Sequence, residues 1–125
     1  MIREKFLRRI ESEESQIVDL CRTLVQIPSE NPPGDTQALC NYISSLFKEK
    51  GLEYKIYAPQ NDMPNFVAQI KGKEKGKRMV LNGHMDTYPA GDHKLWKKNP
   101  FSGDLENGKI FGRSTDGLFL PVGEP

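Results

Sequence analysis

What the sequence lacks excludes several classes of protein. No apolar run approaches the length of a membrane span, and the opening MIREKFLRRIESEES is too charged for a signal peptide and too rich in glutamate for a transit peptide. Eighteen basic residues and seventeen acidic ones give a net charge of +1, so the chain has no strong positive electrostatic field to attract nucleic acid or an anionic membrane. We therefore expect a cytoplasmic chain with a small-molecule or protein partner.

Cysteine is also scarce. The two cysteines, Cys21 and Cys40, both fall on the apolar stripes of predicted helices. A reduced thiol packed in the core is the common outcome at such positions, and a disulfide or a catalytic thiol is the rarer one. We predict that both are packing residues.

With 125 residues, 36% of them hydrophobic, the chain is in the size range of one globular domain.

Helical periodicity dominates the N-terminal part of the chain. From Glu4 to about Gln26, apolar residues recur at a helical spacing with charged residues on the opposite face, which predicts one amphipathic helix. Pro28 prevents this helix from continuing. Asp35 is predicted to cap a second helix, and Gly51 is predicted to end it in a left-handed conformation.

The periodicity after this second helix is that of β-strands. The alternation over Leu52–Ile56 predicts a half-buried strand, and Asn65–Ile70 follows as a second one. The continuous apolar run Met79–Leu81 predicts a central strand. A hairpin is predicted around Asn107-Gly108, the strongest short-range turn signal in the chain. Helices followed by strands predict an α/β fold in which helices pack on a mixed sheet.

A basic segment, KGKEKGKR at residues 71–78, carries five positive charges in eight residues. Such a segment can be a solvated loop or a nucleic-acid-binding patch. No aromatic residue lies between its charges to stack on bases. We therefore predict a solvated loop.

The segment that ends in His84 and Asp86 has the clearest functional signal. An apolar run leads into Gly83, and the alternation of a strand places His84 and Asp86 on the same side. In open α/β sheets, ligands bind beyond the carboxyl ends of strands. A neutral imidazole binds zinc well, and a neighbouring carboxylate can fix its tautomer. On these residues alone, a metal ligand and a structural histidine both remain open.

The residues around this pair form a spaced series. GHMDTYPAGD is followed by Trp96, Asn99-Pro100-Phe101, GKIFGR and Asp116, and the earlier LVQIPS precedes NPPG. In this order the chain resembles the M20 metallopeptidase family, the group of acetylornithine deacetylase, succinyl-diaminopimelate desuccinylase and carboxypeptidases. The resemblance runs from about Leu20 to Asp116.

The resemblance implies that residues 1–116 form the N-terminal portion of a zinc-peptidase-like catalytic domain. It implies a hydrolase of amide bonds in N-acyl amino acids or small peptides, with two Zn²⁺ ions, or Co²⁺ in their place, in the complete family site. His84 would bind one metal ion, Asp86 would be the catalytic-site carboxylate that orients it, and Asp116 would bridge the two ions. In that site a glutamate takes a proton from water and passes it to the leaving amine.

Other residues have simpler interpretations. Trp96, Pro100 and Phe101 are expected to pack beneath the metal-binding loops, and His93 is expected to be an exposed loop histidine. The family's other metal ligands and its second domain are expected beyond Pro125. A homodimer is therefore expected only for a full-length protein.

The chain departs from the family pattern near its end. It reads Gly112-Arg113-Ser114-Thr115-Asp116, one residue shorter than the family's Gly-Arg-Gly-x-x-Asp, and residues 117–125 contain two prolines and predict an irregular tail. We expect that a frameshift, a premature stop or an alternative 3′ end close to codon 114 produced this tail. For the function, the first hypothesis is a metal-dependent hydrolase of which this chain is the N-terminal part, inactive in isolation. The competing hypothesis is a truncated, non-catalytic remnant with at most weak metal or protein binding.

Overall fold

The structure, a computed structural model, describes residues 1–113. The predicted ligand Asp116 and the predicted tail lie outside the described residues. The regular elements are α1 (Ile2–Ser12), α2 (Glu14–Gln26), α3 (Gln37–Glu49), β1 (Tyr54–Tyr57), β2 (Asn65–Ala68), a short 3₁₀ helix (His93–Leu95), β3 (Asp104–Glu106) and β4 (Lys109–Phe111). They divide into two compact units: the first joins Met1–Ile27 to the described chain from Ala90 onward, and the second is Pro28–Pro89.

The N-terminal helix predicted as continuous is two helices. Glu13, with φ −110° and ψ 6°, separates α1 from α2. The Ser12 hydroxyl donates to the Arg9 carbonyl at 2.8 Å, and the Glu13 N–H donates to the Ile10 carbonyl at 3.1 Å. Both bonds span three residues, which tightens the last turn of α1 and ends it. Periodicity could not show this break because the apolar stripe resumes at Ile17 in α2.

Two side chains of α2 hold the segment that leads into β3. Arg22 Nε donates to the Gly103 carbonyl at 2.7 Å, and Gln26 Nε2 donates to the Ser102 carbonyl at 2.8 Å. Gly103 has φ +60°, and a Cβ added there would lie 2.9 Å from the Arg22 carbonyl oxygen. Glycine is thus required both by the left-handed conformation and by the close approach of the helix backbone. Cys21 is exposed on α2, so its predicted burial is wrong.

The β3–β4 hairpin forms where the sequence predicts it. Glu106 pairs with Lys109, and the two residues between them, Asn107 and Gly108, have φ of 50° and 71°. Positive φ at both positions is the requirement of a type I′ turn, which matches the twist of the flanking strands. Asn and Gly tolerate this conformation better than other residues, and this is why the dipeptide predicts the turn.

Arg113 joins the end of β4 to the end of α2. Its guanidinium donates to the Val25 carbonyl at 3.2 Å and to the Ile27 carbonyl at 2.9 Å, and it lies 4.0 Å from the centre of the Phe101 ring. It thus satisfies carbonyl groups that the end of a helix leaves without intrahelical partners. At Gly112 an added Cβ would collide with the Val25 side chain. The Gly112-Arg113 pair is therefore a packing element of this unit.

In the second unit, α3 begins and ends largely as predicted. Asp35 Oδ1 accepts a hydrogen bond from the Gln37 N–H at 2.9 Å, although Thr36 occupies the N-cap position. Gly51 follows the helix with φ +65°, the predicted left-handed conformation. Cys40 is fully buried on the inner face of α3, as predicted.

An aromatic cluster lies between α3 and the antiparallel β1–β2 hairpin. The Phe47 ring of α3 meets the Phe66 ring of β2 edge-on at 4.8 Å, and Tyr54 of β1 stacks on Phe66 at 5.1 Å. Such pairs stabilise beyond the area that they bury. Leu52 and Tyr54 are half-buried as the alternation predicts, whereas Ile56 is exposed.

The predicted central strand and mixed sheet are not found in residues 1–113. Both ladders in this range are antiparallel pairs of strands, and a parallel pairing appears as the single bridge between Glu30 and Thr87. Met79, Val80 and Leu81 lie outside the strands and are 81%, 75% and 85% exposed. A strand needs a neighbour for its backbone groups, and no segment of the described chain pairs with this one. The α/β content is confirmed, while the packing of helices on one mixed sheet stays a prediction.

Residues 71–78 form an exposed, irregular segment, in agreement with the predicted loop. No helix in the described part of the chain is both long enough and apolar enough to cross a membrane.

Candidate functional site

The predicted His84–Asp86 pair lines a cleft within the second unit. The cleft is a cavity of about 490 Å³ whose wall combines polar side chains with apolar ones. The polar side chains other than the pair are Asn31, Thr36, Asn65 and Asn82, and the apolar ones include Ile43, Met63 and Phe66. Its size suits a small molecule.

Backbone pairing fixes the chain just after Asp86. The Thr87 N–H donates to the Ser29 carbonyl at 2.9 Å, and the Asn31 N–H donates to the Thr87 carbonyl at 2.8 Å. These two bonds form the parallel bridge between Glu30 and Thr87. The proline-rich segment after α2 is thus held beside the end of the His84–Asp86 segment. Residues far apart in sequence are brought to one cleft by this bridge.

One nitrogen of the His84 ring, Nδ1, contacts two oxygen acceptors. Nδ1 lies 3.0 Å from Asp86 Oδ1 and 2.7 Å from the backbone carbonyl oxygen of Asp86. An ionised carboxylate and a carbonyl can only accept, so the ring proton belongs on Nδ1 and Nδ1–H donates to both. The lone pair of the neutral ring is then on Nε2, the nitrogen available to a metal ion. The side chain is 66% exposed, which leaves it accessible to ligands.

Asp86 has a different partner on each carboxylate oxygen. Oδ1 faces His84, while Oδ2 accepts a hydrogen bond from Asn31 Nδ2 at 3.0 Å. The hydrogen bond from Asn31 and then that from His84 hold the pKa of Asp86 below its usual value. The carboxylate is therefore ionised at neutral pH, as its acceptor role toward His84 requires.

Sequence reasoning did not identify Asn31 as part of the site. The sequence places Asn31 only within the NPPG segment of the series that resembles the family. A polar side chain in a proline-rich loop is a weak signal for a functional site, because such loops contain Asn for turn formation as well. The contact with Asp86 depends on the bridge to Thr87, which sequence spacing does not show.

The described residues contain one side chain with the chemistry of a zinc ligand. His84 Nε2 with a carboxylate behind Nδ1 has the chemistry of a zinc ligand. Within residues 1–113, however, no group of three or more His, Cys, Asp or Glu side chains could hold a metal ion. A catalytic zinc takes about three protein ligands. The residues fit one metal ligand and its supporting carboxylate, and the remaining ligands are not among those described.

The other residues named from the sequence lie in the first unit. Trp96 Nε1 donates to the Ala90 carbonyl at 2.7 Å, Pro100 is fully buried, and Phe101 is half-buried against Arg113. Their packing role within this unit is clear, whereas their predicted place beneath the metal loops stays a prediction. His93 is exposed, as predicted, with its ring 5.7 Å from the Phe101 ring.

An imidazole oriented by a carboxylate at a small-molecule cleft is an arrangement typical of metallohydrolases. Comparison with known proteins also points to a family of hydrolases. Residues 80–119 match the sequence profile described as Peptidase family M20/M25/M40. This segment contains His84, Asp86 and Asp116.

Curated relatives match over most of this chain. An N-formyl-4-amino-5-aminomethyl-2-methylpyrimidine deformylase of Halalkalibacterium halodurans is 29% identical over 88% of this chain and 26% of its own length. Aminoacylase-1 of Dictyostelium discoideum is 32% identical over 85% of this chain and 26% of its own length. A succinyl-diaminopimelate desuccinylase of Methylocella silvestris is 33% identical over 77% of this chain and 25% of its own length. The predicted resemblance to the M20 family is confirmed, and the chain spans about a quarter of the length of these relatives.

Proposed function

We propose that the chain supplies His84 and Asp86 to the active site of a metal-dependent hydrolase that cleaves amide bonds in N-acyl amino acids or small peptides. The observation that carries this proposal is the His84 ring, whose Nδ1 faces two oxygen acceptors at 2.7 and 3.0 Å. The relatives named after N-formyl and succinyl compounds favour an acyl group on nitrogen as the target.

Each residue of the pair has a distinct task in this proposal. His84 would hold one of two Zn²⁺ ions, or Co²⁺ in their place, through Nε2. Asp86 would keep the proton on Nδ1 and raise the basicity of the ring. Asp116, outside the described residues, would bridge the two ions. A bound zinc ion supplies a Lewis acid that polarises the amide carbonyl and lowers the pKa of water.

The surroundings of the pair support a small substrate. The cleft of about 490 Å³ joins amide and hydroxyl groups to apolar side chains, a combination that can hold both ends of an acylated amino acid. We propose a cytoplasmic enzyme that uses no nucleic acid or membrane partner. Substrate contacts and dimerisation would belong to a full-length protein.

One observation favours a second function for the chain on its own, a non-catalytic product with at most weak metal or protein binding. The apolar side chains of Met79, Val80 and Leu81 are exposed to solvent. An exposed apolar segment of this kind favours association with another polypeptide over catalysis.

Zinc calorimetry combined with hydrolysis assays separates the two functions. The chain, wild type and His84→Ala, is titrated with Zn²⁺ and incubated with N-formyl, N-acetyl and N-succinyl amino acids. The proposed function predicts zinc binding that is lost in His84→Ala and kept in the control His93→Ala, with turnover only where the chain itself supplies the remaining ligands. Zinc binding that is equally weak in wild type and in both variants, with no turnover, would support the non-catalytic function.

A further inference from the structure

The carboxylate of Asp86 is held at both oxygens. His84 Nδ1 lies 3.0 Å from Oδ1, and Asn31 Nδ2 lies 3.0 Å from Oδ2. Without a partner on Oδ2, the carboxylate of a half-exposed aspartate can rotate about its terminal torsion, which has a broad energy profile. The bond from Asn31 restricts that rotation while Oδ1 faces the imidazole.

We propose that Asn31 is a positioning residue that fixes the Asp86 carboxylate and, through it, the tautomer of His84. This inference deepens the proposed function and rests on it for the role of His84 toward a metal ion. Asn31 suits the task because its amide donates without adding a charge to the cleft. A lysine or arginine at this position would carry a positive charge next to the proposed cation site, and an aspartate would be repelled by Asp86.

The position of Asn31 does not depend on its own side chain. Its backbone N–H donates to the Thr87 carbonyl at 2.8 Å, and the Thr87 N–H donates to the carbonyl of Ser29, which is buried. The Gly34 N–H also closes a turn onto the Glu30 carbonyl at 2.8 Å. The backbone of this loop is thus bonded on both sides of Asn31. A side-chain substitution can remove the amide donor while these backbone bonds persist.

Gly34 provides space for the Asn31 side chain. It has φ +89°, and a Cβ added there would lie 3.3 Å from Asn31 Oδ1 and would collide with the end of the Met63 side chain. A larger residue at this position would press on the amide that faces Asp86. Glycine at the end of NPPG therefore has a steric reason related to the site, in addition to its left-handed backbone.

The test compares Asn31→Ala, Asn31→Asp and Asn31→Gln in the 125-residue chain. Asn41→Asp is the matched control, because Asn41 is exposed on α3 and its Oδ1 accepts from Gln37 Nε2, a role that an aspartate oxygen keeps. Two readouts are taken: the ¹⁵N resonances of the His84 ring in the metal-free chain with the imidazole neutral, and the zinc affinity from competition with a chelator.

Loss of the amide is expected to shift the His84 tautomer ratio toward Nε2–H and to weaken zinc binding, each by roughly three- to tenfold. Asn31→Asp should show the largest change and Asn31→Gln, which keeps the donor, the smallest. Asn41→Asp should leave both values within about twofold of wild type. A merely structural role of Asn31 would lower the unfolding midpoint without changing the ring resonances of the folded chain.

Two outcomes overturn the inference: unchanged His84 resonances in folded Asn31→Ala, or equal effects of Asn31→Gln and Asn31→Ala. If Asn31→Ala does not fold, the ring resonances of Asn31→Asp and Asn31→Gln decide. The metal-free resonances also separate this inference from the proposed function. If the wild-type chain fails to bind zinc while the tautomer shifts as expected, the metal-site proposal fails and the positioning role of Asn31 stands.

Discussion

The two units of the chain use their polar side chains differently. In the first unit, Arg22, Gln26 and Arg113 donate to backbone carbonyl groups far away in sequence, and these bonds hold α2 to the β3–β4 segment. In the second unit, His84 and Asp86 bond to each other beside an accessible cleft. In these examples, polar side chains tie backbone segments together in the first unit and line an accessible cleft in the second.

This contrast predicts that substitutions in the first unit change its stability, whereas substitutions at the cleft change metal binding with little effect on stability. The chain offers a separate probe for each unit. Its one tryptophan, Trp96, lies in the first unit, and His84 lies in the second. Tryptophan fluorescence during denaturation can therefore follow the first unit, and the ring resonances of His84 can follow the second, in the same sample.

The largest effect is expected from Arg113→Ala. The substitution leaves the Val25 and Ile27 carbonyls without their guanidinium donor and removes the cation contact with Phe101. We expect the free energy of unfolding, followed by Trp96 fluorescence in urea, to fall by about 3 kcal/mol. Arg113→Lys keeps the charge but loses the forked donor, so an intermediate loss is expected. A change below about 0.5 kcal/mol for Arg113→Ala would contradict the stabilising role.

Gly112→Ala should have the next largest effect. Its Cβ would collide with the Val25 side chain, so α2 and the end of β4 would have to separate. We expect a loss of about 2 kcal/mol in the same urea experiment. Because Val25→Ala removes the colliding methyl groups, the double variant should lose less than the sum of the two single losses. Additive losses would show that the contact with Val25 is not the reason why position 112 requires glycine.

Asp86→Asn should show the opposite pattern to the two variants above. The substitution removes the negative charge that keeps the proton on His84 Nδ1. The amide of asparagine can also donate an N–H to the ring, which would favour the other tautomer. We expect zinc affinity to fall by about 10- to 100-fold, while the unfolding free energy changes by less than about 0.5 kcal/mol. A large loss of stability with unchanged zinc affinity would reverse the contrast between the two units.

The smallest effect is expected from Val80→Ser. Val80 is 75% exposed and lies outside the strands, so the substitution removes little buried apolar surface. We expect a change within about 0.5 kcal/mol in the unfolding of this chain. A loss of about 2 kcal/mol or more would instead support the buried central strand predicted from the sequence.

The sequence predicts local features of this chain better than its long-range pairings. The predictions of a turn at Asn107-Gly108 and of a left-handed Gly51 are correct, because local backbone preferences determine both features. The predicted strand at Met79–Leu81 is wrong for the described chain, because an apolar run predicts burial without specifying the partner that buries it. The break at Glu13 was missed because periodicity continues across it.

The candidate site shows the same limit. His84 and Asp86 are two residues apart, and their side chains are in contact as predicted, although the segment that carries them is not a strand. Asn31 joins them across 55 positions through the Glu30–Thr87 bridge. A single sequence contains no signal for such a pairing. The predicted roles of His84, Asp86 and Asp116 toward metal ions stay predictions until metal binding is measured.

The most direct test of the proposed metal site uses the fact that the chain has two histidines, His84 and His93. Zinc is added to a chain labelled with ¹⁵N-histidine, and the ring nitrogens are followed by NMR. We predict that zinc shifts the Nε2 resonance of His84 and leaves His93 unchanged. A shift at His93 alone, equal shifts at both histidines, or no shift at His84 at millimolar zinc would contradict the assignment of His84 as a metal ligand.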